Sequence, residues 1–157
     1  MKTLISYFSA SGVTQQVAEY LSRVISADLY EIEPMKKYTS ADLDWRNDSS
    51  RSSIEMKDKS CRPPIIEKDL NLEDYDRILL GFPVWWYTAP MIIHTFIEKN
   101  SFLNKEIFLF VTSGGSGVVK CLEDLKKEYP NLNFQTGKRL TGKESPEEIL
   151  SWLSRGE

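Results

Sequence analysis

Histidine and cysteine are nearly missing from this chain of 157 residues. The single histidine, His94, would have to serve any His-based catalytic triad, yet no strained G-x-S-x-G elbow accompanies it. It lies among Met91, Ile92, Ile93, Phe96 and Ile97, as a surface or partly packed helix residue would. The two cysteines, Cys61 and Cys121, stand far apart with no C-x-x-C spacing. A disulfide framework and a zinc site are therefore both unexpected, and no metal is assigned. No G-x-x-x-x-G-K-[ST] run occurs, which argues against nucleotide hydrolysis. Gly115-Ser116-Gly117 matches part of a G-x-G-x-x-G fingerprint, but Lys120 takes the place of the third glycine.

Charge of one sign is also scarce. Twenty Lys and Arg against 23 Asp and Glu leave a net charge of −3, with no basic stripe for nucleic acid. The mixed run Glu123 to Glu128 reads as a solvated helix face. No stretch approaches the ~18 apolar residues a membrane helix needs. Met1 to Phe8 carries one basic residue and a short apolar run with no cleavage pattern after it. It reads as a buried strand, and the cytoplasm, with reduced thiols, is the expected location.

What is present is an alternation of apolar strands and amphipathic helices. Strands are expected at Leu4–Phe8, Leu29–Ile32, Arg77–Phe82 and Glu106–Val111, with a last short one beginning over Leu132–Gln135. Helices are expected from Val13 to Ile25, from Ala89 to Lys99 with Pro90 near its first position, from Val118 to Tyr129, and from Pro146 to Trp152 behind a Ser145 cap. The segment from Pro34 to Glu67 is irregular and polar, with short helices expected near 41–46 and 50–57. It is read as a crossover packed over one face of the sheet, because parallel neighbours require such a connection. The sum is an α/β fold of one domain over residues 1–157, a doubly wound parallel sheet of five strands with helices on both faces.

Ligands of open α/β sheets sit beyond the C-terminal strand ends, where the strand order reverses, and three loops there are unusual. Ser9-Ala10-Ser11-Gly12-Val13-Thr14 puts three hydroxyls and a glycine where amides and the positive helix end converge. That suits a phosphate dianion, or equally a plain helix cap by Ser11. Pro83-Val84-Trp85-Trp86-Tyr87 presents aromatic surface suited to a flat tricyclic ring, or to the core, with alternation turning one tryptophan inward. Thr112-Ser113-Gly114-Gly115-Ser116-Gly117 lets backbone amides approach a ligand closely, or forms a simple flexible turn.

In this order and spacing the three loops resemble those of the flavodoxin family, whose phosphate loop reads S/T-x-S/T-G-x-T. The run from Tyr38-Thr39 through Asp42-Leu43-Asp44-Trp45 to Arg51 is similar to a bacterial branch of flavodoxin-like proteins. The resemblance implies the strand order 2-1-3-4-5 and bound FMN. It implies that the first loop holds the phosphate and that the third runs along the pyrimidine edge of the ring. Whether the Pro34–Glu67 crossover covers the flavin is left open by the sequence, with Tyr38 and Trp45 as the candidate lids.

Three departures from electron-carrier flavodoxins bear on the role. Those carriers are strongly acidic, whereas −3 is mild. Their second loop often carries a glycine whose peptide turns toward the one-electron flavin, and Trp85 to Thr88 has none. The P-x-x-W run before a Pro-containing helix resembles flavodoxin-like quinone and NAD(P)H reductases. The expected function is an FMN-dependent oxidoreductase taking electrons from NAD(P)H or a reductase to a small acceptor such as a quinone. A one-electron carrier for a protein partner is the alternative, and a non-redox module without FMN is a third.

Overall fold

Continuous apolar runs such as Ile78-Leu79-Leu80 and Ile107 to Val111 have no polar side to offer water, so they fit only strands covered on both faces. The computed structural model describes residues 2–155, which leaves Met1, Gly156 and Glu157 outside. The runs form β3 (Arg77–Pro83) and β4 (Glu106–Thr112), next to β1 (Thr3–Tyr7), with β2 (Asp28–Glu31) and β5 (Asn133–Arg139) at the edges. All pairings are parallel in the order β2-β1-β3-β4-β5, the topology the family resemblance implied. The last strand reaches Arg139, beyond the short segment expected, because its polar Gln135 to Lys138 stretch carries little strand signal.

Successive side chains alternate between two cores. Leu4, Ile78, Leu80, Phe82, Ile107, Leu109 and Val111 face one side, with α3 (Met91–Lys99) and α4 (Val119–Glu128). Ile5, Tyr7, Leu79, Phe108 and Phe110 face the other, with α1 (Val13–Ile25) and α5 (Pro146–Ser154). α1 buries Thr14, Val17, Ala18 and Leu21, the i, i+3, i+4, i+7 stripe of a helix laid on a sheet. α5 starts where Ser145 Oγ accepts the Glu148 amide at 3.1 Å. Pro90 stands at the N-cap of α3, one position before the helix rather than inside it. No described helix is long and apolar enough to cross a membrane.

His94 is more deeply packed than the surface or partly packed position expected of it. α3 buries every residue from Met91 to Ile97, and His94 Nδ1 lies 2.9 Å from the Tyr129 hydroxyl. That hydroxyl donates to Glu98, which also accepts from Arg62 Nε. Burial, aided by the Arg62 cation, holds the imidazole pKa below its usual value. It is a packed residue between helices. The His94, Glu98 and Glu128 donors lie close enough for a metal ion, but Arg62 already pairs with both carboxylates.

The crossover packs Tyr38 and Ile65 onto the core that α3 and α4 share. Its two ends meet: Met35 N donates to Pro64 O at 3.0 Å and Ile66 N to Glu33 O at 2.8 Å. Only one of the two expected helices forms, α2 (Arg51–Lys57), capped by Ser50. Residues 41–46 are a chain of turns instead. There Thr39 and Asp42 bond each other's backbone amides and Asp44 takes the Arg46 amide, competing with helical pairing. Inside the segment Arg51 lies 3.7 Å over the Tyr38 ring while bonding Glu55 and the Lys36 carbonyl. Tyr38 donates to the buried Glu55 at 2.6 Å, and burial together with that carboxylate pushes the phenol pKa far up.

Gly81 is paired with Phe110 across β3 and β4, and a Cβ there would meet the Phe110 ring at 2.0 Å. Gly81→Ala is therefore expected to cost about 1–3 kcal/mol through overpacking, read from urea unfolding. Adding Phe110→Leu to that variant should recover part of the loss. Full stability in Gly81→Ala alone would contradict the account.

Candidate functional site

The parallel register brings the ends of β1, β3 and β4 to one edge, so the loops that follow them lie side by side. A cleft of ≈ 360 Å³ there is lined by Ala10, Ser11, Val13 and Thr14 of the first loop, Pro83, Val84 and Trp85 of the second, and Thr112, Ser113 and Gly114 of the third. A second hollow of ≈ 460 Å³ continues from it through the shared residues Val84 and Trp85. Its other walls are Trp86, Tyr87 and Ser116, with Leu43, Trp45 and Ser52 of the crossover. Ser9, Gly12, Gly115, Gly117 and Tyr38 line neither space. Ser9 and Gly12 instead shape the first turn, and Tyr38 packs beneath Trp85.

In the first loop the helix-capping hydroxyl is Ser9, not Ser11. Ser9 Oγ accepts from Gly12 N at 3.1 Å and Gln15 N at 3.2 Å, leaving Ser11 exposed at the cleft wall. Gly12 takes the left-handed conformation (φ 94°) with open space where a Cβ would be. This is the turn that glycine makes without strain. The amides of Val13 and Thr14 have no protein acceptor among the described residues, as first-turn helix amides commonly do not. Thr14 is buried, and its hydroxyl lies 2.7 Å from that of Thr112, tying the first loop to the third. Two paired hydroxyls carry two protons and use one between them, so one O–H remains to donate. Neutral donors at a helix N-terminus, with no cation in the lining, fit a phosphate group.

The second loop answers which tryptophan turns inward. Trp85 meets Phe8 and Tyr38 edge-on, with ring centroids 5.6 and 5.3 Å away. It still borders both spaces, whereas Trp86 is 40 % and Tyr87 70 % exposed. Trp85 and Thr88 exchange backbone hydrogen bonds of 3.0 Å across a tight turn. Both central residues have positive φ, 49° at Trp86 and 66° at Tyr87. That conformation favours glycine and costs other residues roughly 1–2 kcal/mol each. It persists because its ends are held. The Thr88 hydroxyl donates to Asp124 of α4 at 2.6 Å, and Cys121 packs under the Tyr87 carbonyl. Asp124 is thus a brace as well as part of a solvated face. Partial burial opposes its ionisation, but the Lys120 and Thr88 hydrogen bonds outweigh that and keep its pKa low. Burial pushes the Cys121 thiol up to about 11, so it is an inert packing group.

The third loop folds around one hydroxyl. Ser113 Oγ donates to Ser116 O and accepts from Gly115 N, while Arg139 clamps it from β5, with Nε 3.1 Å from Oγ and a terminal nitrogen 3.0 Å from the carbonyl. Gly114, Gly115 and Gly117 have open space at their Cβ positions. Arg139 was invisible to sequence reasoning, because the strand that delivers it was expected to be shorter. Ser52, on the short α2, was equally unmarked.

A family model described as Flavodoxin matches residues 2–156. A solved Bacteroides eggerthii protein classed as a flavoprotein is 46 % identical, with a TM-score of 0.94 over 98 % of this chain and 96 % of that one. A Lactobacillus acidophilus flavoprotein solved in complex with FMN is 25 % identical, with a TM-score of 0.77 over 97 % of this chain and 98 % of its own. Among curated proteins, rat NAD(P)H dehydrogenase [quinone] 1 is 23 % identical over 78 % of this chain and 53 % of its own length. The chain thus spans about half the length of that relative. Sequence, strand order and the three converging loops agree that the chain belongs to the flavodoxin family.

Proposed function

We propose that this chain uses FMN to pass electrons from a donor such as NAD(P)H or a reductase to a small organic acceptor, of which a quinone is the leading example. The observation that carries the reading is the convergence of all three loops on one cleft at the strand ends. FMN, when bound, supplies the redox chemistry, so no side-chain acid or base is required. The protein's part is to hold and exclude. Ser11, the Val13 and Thr14 amides and the Thr14–Thr112 hydroxyl pair take the phosphate. Val84 and Trp85 would supply apolar surface to the ring, and Ser113 and Gly114 of the third loop would bring backbone amides near it. The names of the FMN-bound neighbour and of the quinone dehydrogenase support the cofactor and the reaction class.

The mild charge and the glycine-free second loop weigh against the one-electron carrier. Stepwise photoreduction of the FMN-saturated protein, followed by absorbance, distinguishes the two. Direct passage to the two-electron form is expected. A large long-wavelength band from the one-electron form would favour the carrier, and no FMN binding at micromolar concentration would sink both.

Two substitution sets test the parts. Ser11→Ala is expected to weaken FMN about tenfold, as loss of a hydrogen bond to a charged group does, and to leave riboflavin binding unchanged. Thr112→Val, which unties the first loop from the third, should weaken both ligands. Equal losses for FMN and riboflavin in Ser11→Ala would show that this loop does not hold the phosphate. In the second loop, Tyr87→Gly should stabilise the apoprotein by about 1 kcal/mol by relieving the left-handed strain. A thermal melt that falls instead would mean that the Tyr87 ring, not its backbone, governs the turn.

A further inference from the structure

Arg139 commits its guanidinium to one residue of one loop. Its Nε lies 3.1 Å from Ser113 Oγ and a terminal nitrogen 3.0 Å from the Ser113 carbonyl oxygen, and it forms no ion pair among the described residues. The fork that elsewhere matches a carboxylate here grips two oxygens of a neutral residue. The Ser113 hydroxyl is filled as a result. It donates its one proton to Ser116 O and accepts from Gly115 N and from Arg139. What Ser113 leaves for a ligand is the peptide group that follows it.

That peptide has a fixed sense. The described chain has no cis peptide bond, so the Ser113 carbonyl and the Gly114 N–H point in opposite directions. β5, which carries Arg139, lies beyond β4 on the side away from β3 and β1. A carbonyl drawn toward β5 turns the Gly114 N–H back toward β3 and β1, whose loops form the rest of the cleft. Gly114 belongs to the cleft lining, and its amide has no protein acceptor among the described residues. Arg139 itself does not line the cleft.

We propose that Arg139 is a positioning residue: by gripping the Ser113 carbonyl it aims the Gly114 N–H into the cleft, where that donor favours the flavin ring when the ring carries negative charge. The inference rests on the cofactor in the reading above and not on the acceptor. A donor held in place gains strength as its acceptor becomes more negative, so the contact serves the reduced ring more than the oxidised one. Arg139 contributes through the orientation of the peptide rather than through its own charge.

The test measures the two-electron midpoint potential of the FMN-loaded protein and, in isotope-labelled protein, the Gly114 amide resonance with and without FMN. Arg139→Gln should weaken reduced FMN about tenfold more than oxidised FMN, as loss of a hydrogen bond to a charged group does. That difference lowers the potential by about 30 mV. The Gly114 amide should shift on FMN addition in the wild type and lose most of that shift in Arg139→Gln. Arg139→Lys keeps the charge but not the fork, so it should recover only a minor part of the potential. Ser113→Ala loosens the loop while its carbonyl stays held, so it should weaken both redox forms alike and leave the potential in place. A potential unchanged in Arg139→Gln would reduce Arg139 to a loop fastening and overturn the proposal. Full recovery in Arg139→Lys would overturn it too, because charge alone would then suffice. Failure of the wild-type protein to bind FMN is a separate result, since it removes the cofactor reading and this inference with it.

Discussion

The shared register of β1, β3 and β4 is the constraint on which the other features depend. Side chains alternate between two cores along all three strands, so a slip of one residue would exchange every inward group for its neighbour. Gly81 opposite Phe110 locks the pairing further, because the ring fills the space a side chain would need. With the strands fixed, their ends are fixed, and the three loops leave from one line. The cleft is therefore a product of the core rather than of the loops themselves.

Within that frame the loops are fastened to one another by a few polar contacts. Thr14 to Thr112 joins the first to the third, Arg139 holds the third to the last strand, and Asp124 anchors the second to α4. Each fastening lets a loop keep a conformation that its sequence would not choose alone. The clearest case is the turn at Trp86 and Tyr87, where two bulky residues occupy a region that belongs to glycine. Strain of this kind clusters at functional sites, where the surroundings over-determine the backbone.

Much of this was legible in the sequence. Continuous apolar runs announced the doubly covered strands, the i, i+3, i+4 stripe announced α1, and the first-loop motif pointed to the edge where the three loops converge. Other features were not legible, for identifiable physical reasons. The cap of α1 fell to Ser9 because the left-handed Gly12 turns its amide back toward that hydroxyl. His94 sank into the interior because α3 and α4 share one core on the same face of the sheet, and a neutral imidazole bonded to Tyr129 is tolerated there. Residues 41–46 failed to become a helix because Thr39, Asp42 and Asp44 bond the backbone locally. Arg139 and Ser52 reach the site only through tertiary placement, which no local pattern encodes.

The pinched base of the crossover has a consequence for how the chain tolerates change. Because Glu33 and Met35 meet Pro64 and Ile66, the excursion between them is already closed, and its length is decoupled from the spacing of β2 and β3. Closing entropy grows only as the logarithm of loop length, about 0.6 kcal/mol for a doubling. Residues inserted at the exposed stretch from Asp44 to Ser49 would enlarge the excursion while the sheet, the three loops and their fastenings stay where they are. The wall that carries Trp45 can thus be remodelled independently of the part of the protein that holds its shape.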